Sequence, residues 1–171
     1  MQYQEKSRFA VISKILFGAL GIIAGFVICR IFIVTIPMPD DSMQPGLKAG
    51  DILVLLKHVK PAPGDIVMLK SPVEPGTALI KRVIAAEGDT VEIRDKIIRI
   101  NGVIPDFKWK TKSTDKRIFP MNFTYRDNMP AVKMKRNEYF VLCDNLDRGF
   151  DSRSLGIIPG AIIAGRLVYR Y

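Results

Sequence analysis

Positions 15–29 of the chain carry no charge, and after Arg30 the apolar run resumes through Ile36. The 22 residues of 15–36 exceed the roughly 20 that cross the ~30 Å hydrocarbon core of a bilayer as a helix. The run predicts one transmembrane helix over 15–36 behind a tail over 1–14. Arg30 lies six residues from the predicted end, where a long side chain can reach the headgroups. Gly21 and Gly25 form a small-xxx-small pair of the kind that lets membrane helices pack closely. After Pro37 the pattern changes to short apolar stretches broken by Gly, Pro and Asp every 8 to 12 residues, which is a β signature. Strands are predicted over 51–56, 65–69, 78–86, 90–93, 96–100, 139–143 and 161–169, with turns at Arg94-Asp95 and Asn101-Gly102. Residues 52–56 are apolar without alternation. That suits strands covered on both faces, in a sandwich or a partly closed barrel. Residues 106–137 are polar, with Phe107, Trp109, Phe119, Phe123 and Tyr125 but no periodicity. They predict an insertion or flap whose aromatics either pack beneath the loop or meet a lipid surface.

At 171 residues the chain has room for one domain of ordinary size, here 37–171, plus the anchor. Lys6, Arg8 and Lys14 against Glu5 make the first flank positive, an order that a cleaved secretory signal would share. Neither 27–30 nor 34–37 shows a small-x-small cleavage pattern, and Ile28 before Cys29 does not suit a lipoprotein site. The segment is therefore expected to stay attached, with the tail in the cytoplasm and 37–171 outside. The net charge is +9, and the chain without Lys6, Arg8, Lys14, Arg30 and Glu5 keeps 22 basic and 16 acidic residues, or +6. A basic domain tethered to a membrane favours anionic headgroups as a partner. Nucleic acid is the poorer partner, because the positive residues are spread out apart from Lys108, Lys110, Lys112, Lys116 and Arg117. Cys29 in the span and Cys143 after an apolar stretch are not expected to pair, which leaves the domain to its apolar core.

Two stretches 39 residues apart carry the candidate chemistry: Asp41-Ser42-Met43-Gln44-Pro45 and Ile80-Lys81-Arg82-Val83-Ile84. A serine hydroxyl is a weak nucleophile until a neighbour takes its proton, and a lysine is one of the groups that do so. An amine accepts a proton only when neutral, a form that burial favours, and 78–80 and 83–86 around Lys81 are apolar. The sole histidine, His58, is the other candidate base, but Lys57 and Lys60 beside it suggest a solvated loop. The sequence has neither a Cys/His ligand cluster nor a phosphate-binding Gly loop, so no metal or organic cofactor is expected.

Four ordered boxes resemble those of bacterial type I signal peptidases, over nearly the whole chain. Ser42-Met43-Gln44-Pro45-Gly46-Leu47-Lys48-Ala49-Gly50-Asp51 is similar to the family's Ser-Met-x-Pro-Thr-Leu-x-x-Gly-Asp, with Gly46 in place of Thr. Gly64-Asp65-Ile66-Val67 resembles the second box, and 80–84 followed by Gly88-Asp89 resembles the lysine box. Residues 143–156, including Cys143, Asp144, Asn145, Asp151, Ser152 and Arg153, resemble the last. The resemblance implies a Ser-Lys endopeptidase that removes signal peptides after small residues at the first and third positions before the scissile bond. It implies Ser42 as nucleophile, Lys81 as general base and Met43 in the binding cleft. Asp151 and Arg153 would form a supporting ion pair, with Asp144 and Cys143 in the same supporting box. The residues before Ser42 and the strand before Lys81 would hold the substrate as an added strand.

Three positions depart from the pattern. Asp40 stands where many members place a serine that stabilises the oxyanion, and a carboxylate there would repel that charge unless protonated or turned away. Gly149 replaces a serine that orients the lysine, and Cys143 replaces a glycine. Two alternatives follow: a maturation peptidase for pilin or conjugation proteins, working beside secretion or conjugation machinery, and a catalytically weak homologue that binds exported chains. The expectation is a mostly β, signal-peptidase-like, single-pass protein of a bacterial cytoplasmic membrane. Its partners would be preproteins and membrane lipids.

Overall fold

The computed structural model describes residues 2–148 and 150–171, with side chains from residue 13 onward. Gly149 and the side chains of Glu5, Lys6 and Arg8 lie outside the described residues. The chain divides after residue 33 into a helical unit and a β unit.

The first unit is helix α1 (Gln2–Phe32). Ser13–Phe32 has a mean hydropathy of 2.4 over 20 residues, long and apolar enough to cross a bilayer. The helix stops at Phe32, four residues short of the predicted end, because the β-branched run Ile33-Val34-Thr35-Ile36 is drawn into strand β1 (Ile33–Pro37). Arg30 consequently stands in the helix's last turn, at the very end of the span. A cation is favoured there by the helix dipole.

The second unit holds two sheets. The larger runs in the order β1, β2 (Ile52–Leu56), β10 (Ile163–Arg170), β3 (Ile66–Lys70), β4 (Ala78–Ala85), β8 (Glu138–Leu142), β9 (Ile158–Pro159). The smaller places β5 (Thr90–Arg94) between β6 (Ile97–Ile100) and β7 (Met129–Lys133). This is a mostly β architecture with a curled, partly closed main sheet. The seven predicted strands are present. The β5–β6 turn falls on Asp95-Lys96, one residue later than predicted, and both residues have positive φ. Asn101-Gly102 turns the chain after β6, also at positive φ. β2 is not covered on both faces as expected: Leu53 and Leu55 are buried while Ile52 is exposed. Its apolar sequence hides an ordinary strand alternation.

The flap reading of 106–137 needs correction, since Met129–Lys133 is a strand paired with β5. Its Met-Pro-Ala-Val-Lys sequence gives little periodic signal, and its ladder partner lies far away in sequence. The rest of the segment is irregular but anchored. Phe107 and Trp109 stack at 4.5 Å and pack on the core between the sheets. Phe119 is half-buried with Arg126 4.5 Å over its ring. Phe123 and Tyr125 are exposed. Phe107, Trp109 and Phe119 thus pack beneath the segment, as one of the two readings expected.

Strand β4 is the centre of the unit. Ile80, Val83 and Ile84 each enter a different apolar cluster, so the strand is covered on every side. Ile80 packs with Met38, Met43, Leu47, Leu53 and Leu55. Val83 joins Val67, Leu69, Tyr139, Val141 and Ile158. Ile84 lies between the sheets with Val91, Ile93, Phe140 and Leu142. Lys81, between Ile80 and Val83, is carried into the interior by its neighbours.

Candidate active site

Ser42 lies in the loop that follows β1, and Lys81 lies on β4. Met43 and Leu47 bury themselves beside Ile80 and so press the serine loop against the strand that carries the lysine. Lys81 Nζ lies 3.4 Å from Ser42 Oγ and 3.0 Å from the Ile80 carbonyl oxygen. Lys81 is 2% exposed and Ser42 6%.

Past residue 142 the chain turns back over the dyad. Asn145 donates its N–H to the Ser42 carbonyl at 2.9 Å. Asp144 forms a two-pronged buried pair with Arg82, Nε to Oδ1 2.7 Å and the second nitrogen to Oδ2 2.6 Å. Arg82 also donates to the Gly64 carbonyl at 2.8 Å and stacks on Trp109 at 4.7 Å. Sequence reading missed this pair, although Arg82 is the neighbour of Lys81 and Asp144 belongs to the last box.

Asp151 and Arg153 are also buried and paired, at 2.9 and 2.8 Å. Asp151 caps the short helix α2 (Ser152–Leu155) and accepts the Cys143 N–H at 3.0 Å. Ser152 Oγ accepts the Val141 N–H at 2.9 Å. Arg153 donates to the Leu146 carbonyl at 2.9 Å. The last box therefore stitches β8 to the loop that positions Ser42. Burial, with the Asp151 carboxylate nearby, pushes the Cys143 thiol up to about 12, against a smaller opposing effect of Lys81 and Arg153. Cys143 stands between the dyad and the ion pair as a neutral, space-filling group. Neither cysteine is in a disulfide.

Gly46, where the family pattern has threonine, has a physical reason. A Cβ there would stand 2.7 Å from Asp144 Oδ2. Asp40 is turned toward the nucleophile: its Oδ1 accepts the Ser42 N–H at 2.9 Å. His58, at positive φ, lines a cavity with Lys57, Lys60 and Tyr139 that includes neither Ser42 nor Lys81. Lys81 is the base candidate bonded to Ser42.

Comparison with known proteins gives the chain's family. The family model described as signal peptidase, peptidase S26, matches residues 10–171. Thylakoidal processing peptidase 1 of Arabidopsis thaliana is 32% identical over 78% of this chain and 40% of its own. The chain thus spans about two fifths of that relative's length. Probable signal peptidase I-1 of Synechocystis sp. is 33% identical over 78% of this chain and 68% of its own. A crystal structure of a signal peptidase I from Enterococcus faecalis V583 gives a TM-score of 0.49 at 29% identity, covering 64% of this chain and 98% of that one. With a family match running from within α1 to the last residue, this chain belongs to the signal peptidase family, peptidase S26.

Proposed function

We propose that the protein is a membrane-anchored serine endopeptidase that removes signal peptides from exported preproteins after small residues. The observation that carries this reading is the buried contact of Lys81 Nζ with Ser42 Oγ at 3.4 Å. Ser42 Oγ attacks the scissile carbonyl while Lys81 takes its proton. Lys81 then gives that proton to the leaving amine. Water, deprotonated by the Lys81 amine, adds to the acyl carbon, and Ser42 Oγ leaves and takes the proton back from Lys81.

The main sheet supplies an edge for the substrate. β8 pairs with β4 only at Arg82, Val83 and Ala85, whereas β3 pairs with β4 from Ala78 to Arg82. Among the described residues, 78–81 therefore pair with a strand on one side only, and an extended peptide can add there beside Lys81. Asp151 and Arg153, with Asp144 and Arg82, hold the loop that carries Asn145 against Ser42.

The membership of the family and the apolar helix support a membrane anchor. The basic Lys6, Arg8 and Lys14 at the start of the helix favour a cytoplasmic tail with residues 37–171 outside. Preproteins are the substrates, and the headgroups around the anchor are the nearest anionic surface for a basic domain.

The test is cleavage of a panel of preproteins and pilin precursors by the full-length protein in lipid, beside Ser42→Ala and Lys81→Ala. Cleavage after a small residue, lost by roughly a thousandfold or more in both variants, is expected. Cutting confined to the pilin precursors would narrow the substrate to maturation of those proteins. Binding without cutting, unchanged in the variants, would overturn the peptidase reading.

A further inference from the structure

The Ser42 N–H, bonded to Asp40 at 2.9 Å, is the backbone donor closest in the chain to the attacking hydroxyl. When a serine adds to a carbonyl, negative charge develops on the carbonyl oxygen, and donors fixed around that oxygen supply much of the catalysis. A donor already given to a carboxylate is not available to it, and the carboxylate's own charge opposes the charge that develops. Asp40 is exposed at its position before the nucleophile, so solvent can receive its side chain if it leaves. The serine loop does not depend on this one bond. The Ser42 carbonyl is held by Asn145, Leu47 N–H donates to the Met43 carbonyl at 2.8 Å, and Met43 and Leu47 are buried. The Ala49 N–H, with help from Gln44, holds the neighbouring Asp41 carboxyl below the usual range, so Asp41 is engaged elsewhere in the loop.

We propose that Asp40 is a positioning residue that caps the Ser42 N–H in the resting protein and must release that donor as the oxyanion forms on the seated carbonyl. The inference rests on the serine-peptidase reading above. It makes the free enzyme self-restrained, and the restraint sits in the transition state: without the cap, turnover rises while substrate affinity stays put.

The residue's geometry allows the bond and the charge to be separated. An Asp or Asn side chain reaches the N–H two residues on, forming a closed turn that Glu, one methylene longer, does not reproduce. Asp40→Asn keeps an acceptor for the bond without the charge. Asp40→Glu keeps the charge without the bond, and Asp40→Ala removes both.

The experiment measures kcat and KM of the full-length protein in lipid on one peptide with a small-residue cleavage site, and the rate at which a fluorophosphonate labels Ser42. A charge-assisted bond of this kind corresponds to roughly a tenfold to hundredfold effect. Asp40→Ala and Asp40→Glu are expected to raise kcat and the labelling rate about tenfold, with KM within about twofold. Asp40→Asn, which keeps the bond without its charge assistance, is expected to fall between wild type and Asp40→Ala. A fall or no change in kcat for Asp40→Ala overturns the proposal, as does an Asn variant that rises while the Glu variant does not. If folded wild type and all three variants neither cut nor label, the serine-peptidase reading itself fails and the cap falls with it.

Discussion

Arg82 and Asp144 face each other through two hydrogen bonds of 2.7 and 2.6 Å, one residue from Lys81 on β4 and one residue from Asn145, which holds the Ser42 carbonyl. The pair is a clasp between the two chain segments that must meet for Ser42 and Lys81 to meet. Asp144 is 1% exposed and Arg82 8%, so neither charge has water to fall back on. Trp109 covers the guanidinium and ties the irregular segment after β6 to the same clasp.

Removing one member should therefore cost more than removing both. Asp144→Ala leaves a buried, unpaired guanidinium, a change that costs about 3–5 kcal/mol. Arg82→Met combined with Asp144→Ala should be less destabilising than the sum of the single changes. Denaturant melts of the three variants measure this, and simple additivity would argue against the clasp.

Gly46→Ala should destabilise the protein and slow cleavage. The new methyl would sit 2.7 Å from an Asp144 oxygen that Arg82 holds in place. Overpacking of this sort costs about 1–3 kcal/mol, several degrees in Tm for a domain of this size. Gly46→Ala in an Asp144→Ala background should lose most of its effect. Thermal melts of the two Gly46→Ala proteins against their parents decide it.

Cys143 should be inert toward alkylation at pH 8. Burial and the nearby Asp151 carboxylate hold its thiol at about 12, so the reactive thiolate is scarce in the folded state. The sign for stability follows: the contribution is fully present below the ordinary thiol range and is lost as pH rises from about 9 toward 12. Mass spectrometry of Cys29→Ser protein treated with iodoacetamide should show no adduct until denaturant is added. Rapid labelling of folded protein at pH 8 would contradict the buried placement.

The irregular segment should loosen in acid. Arg117 and then Arg126 hold the Asp115 carboxyl well below the usual range. Burial works against Asp127 and Asp147, yet Arg126 lowers the first, and the Thr114 N–H and hydroxyl lower the second. Groups lowered on folding stabilise fully above the ordinary carboxylate range and lose that contribution as pH falls from about 4 through their folded values. Trp109, the only tryptophan, reports on the segment from its stack with Phe107. Its fluorescence should hold from pH 7 to 5 and change below about 4, with Asp147→Asn shifting the change toward neutral pH.

By itself the sequence determined the apolar span, the β character of 37–171 and the pair of residues worth testing. Each of these is written in local terms: an uncharged run of bilayer length, short apolar stretches between turn residues, and short boxes with fixed spacing. Strands such as Ala78–Ala85 were legible because most of their residues are apolar and Ile80 to Ala85 are buried. The last turn of the helix was not legible, because Ile33–Ile36 is equally apolar in lipid or in a sheet and only pairing beside β2 decides between them. Met129–Lys133 was hidden for the same reason, as its structure is lent by β5. Tertiary structure alone brought Lys81 to Ser42 across 39 residues and Arg82 to Asp144 across 62. It also turned Asp40 onto the Ser42 N–H, a contact only two residues apart, because an Asp side chain has both solvent and backbone within reach and the surrounding loop chooses. Distances between side chains depend on how several strands pack at once, and no local pattern encodes that.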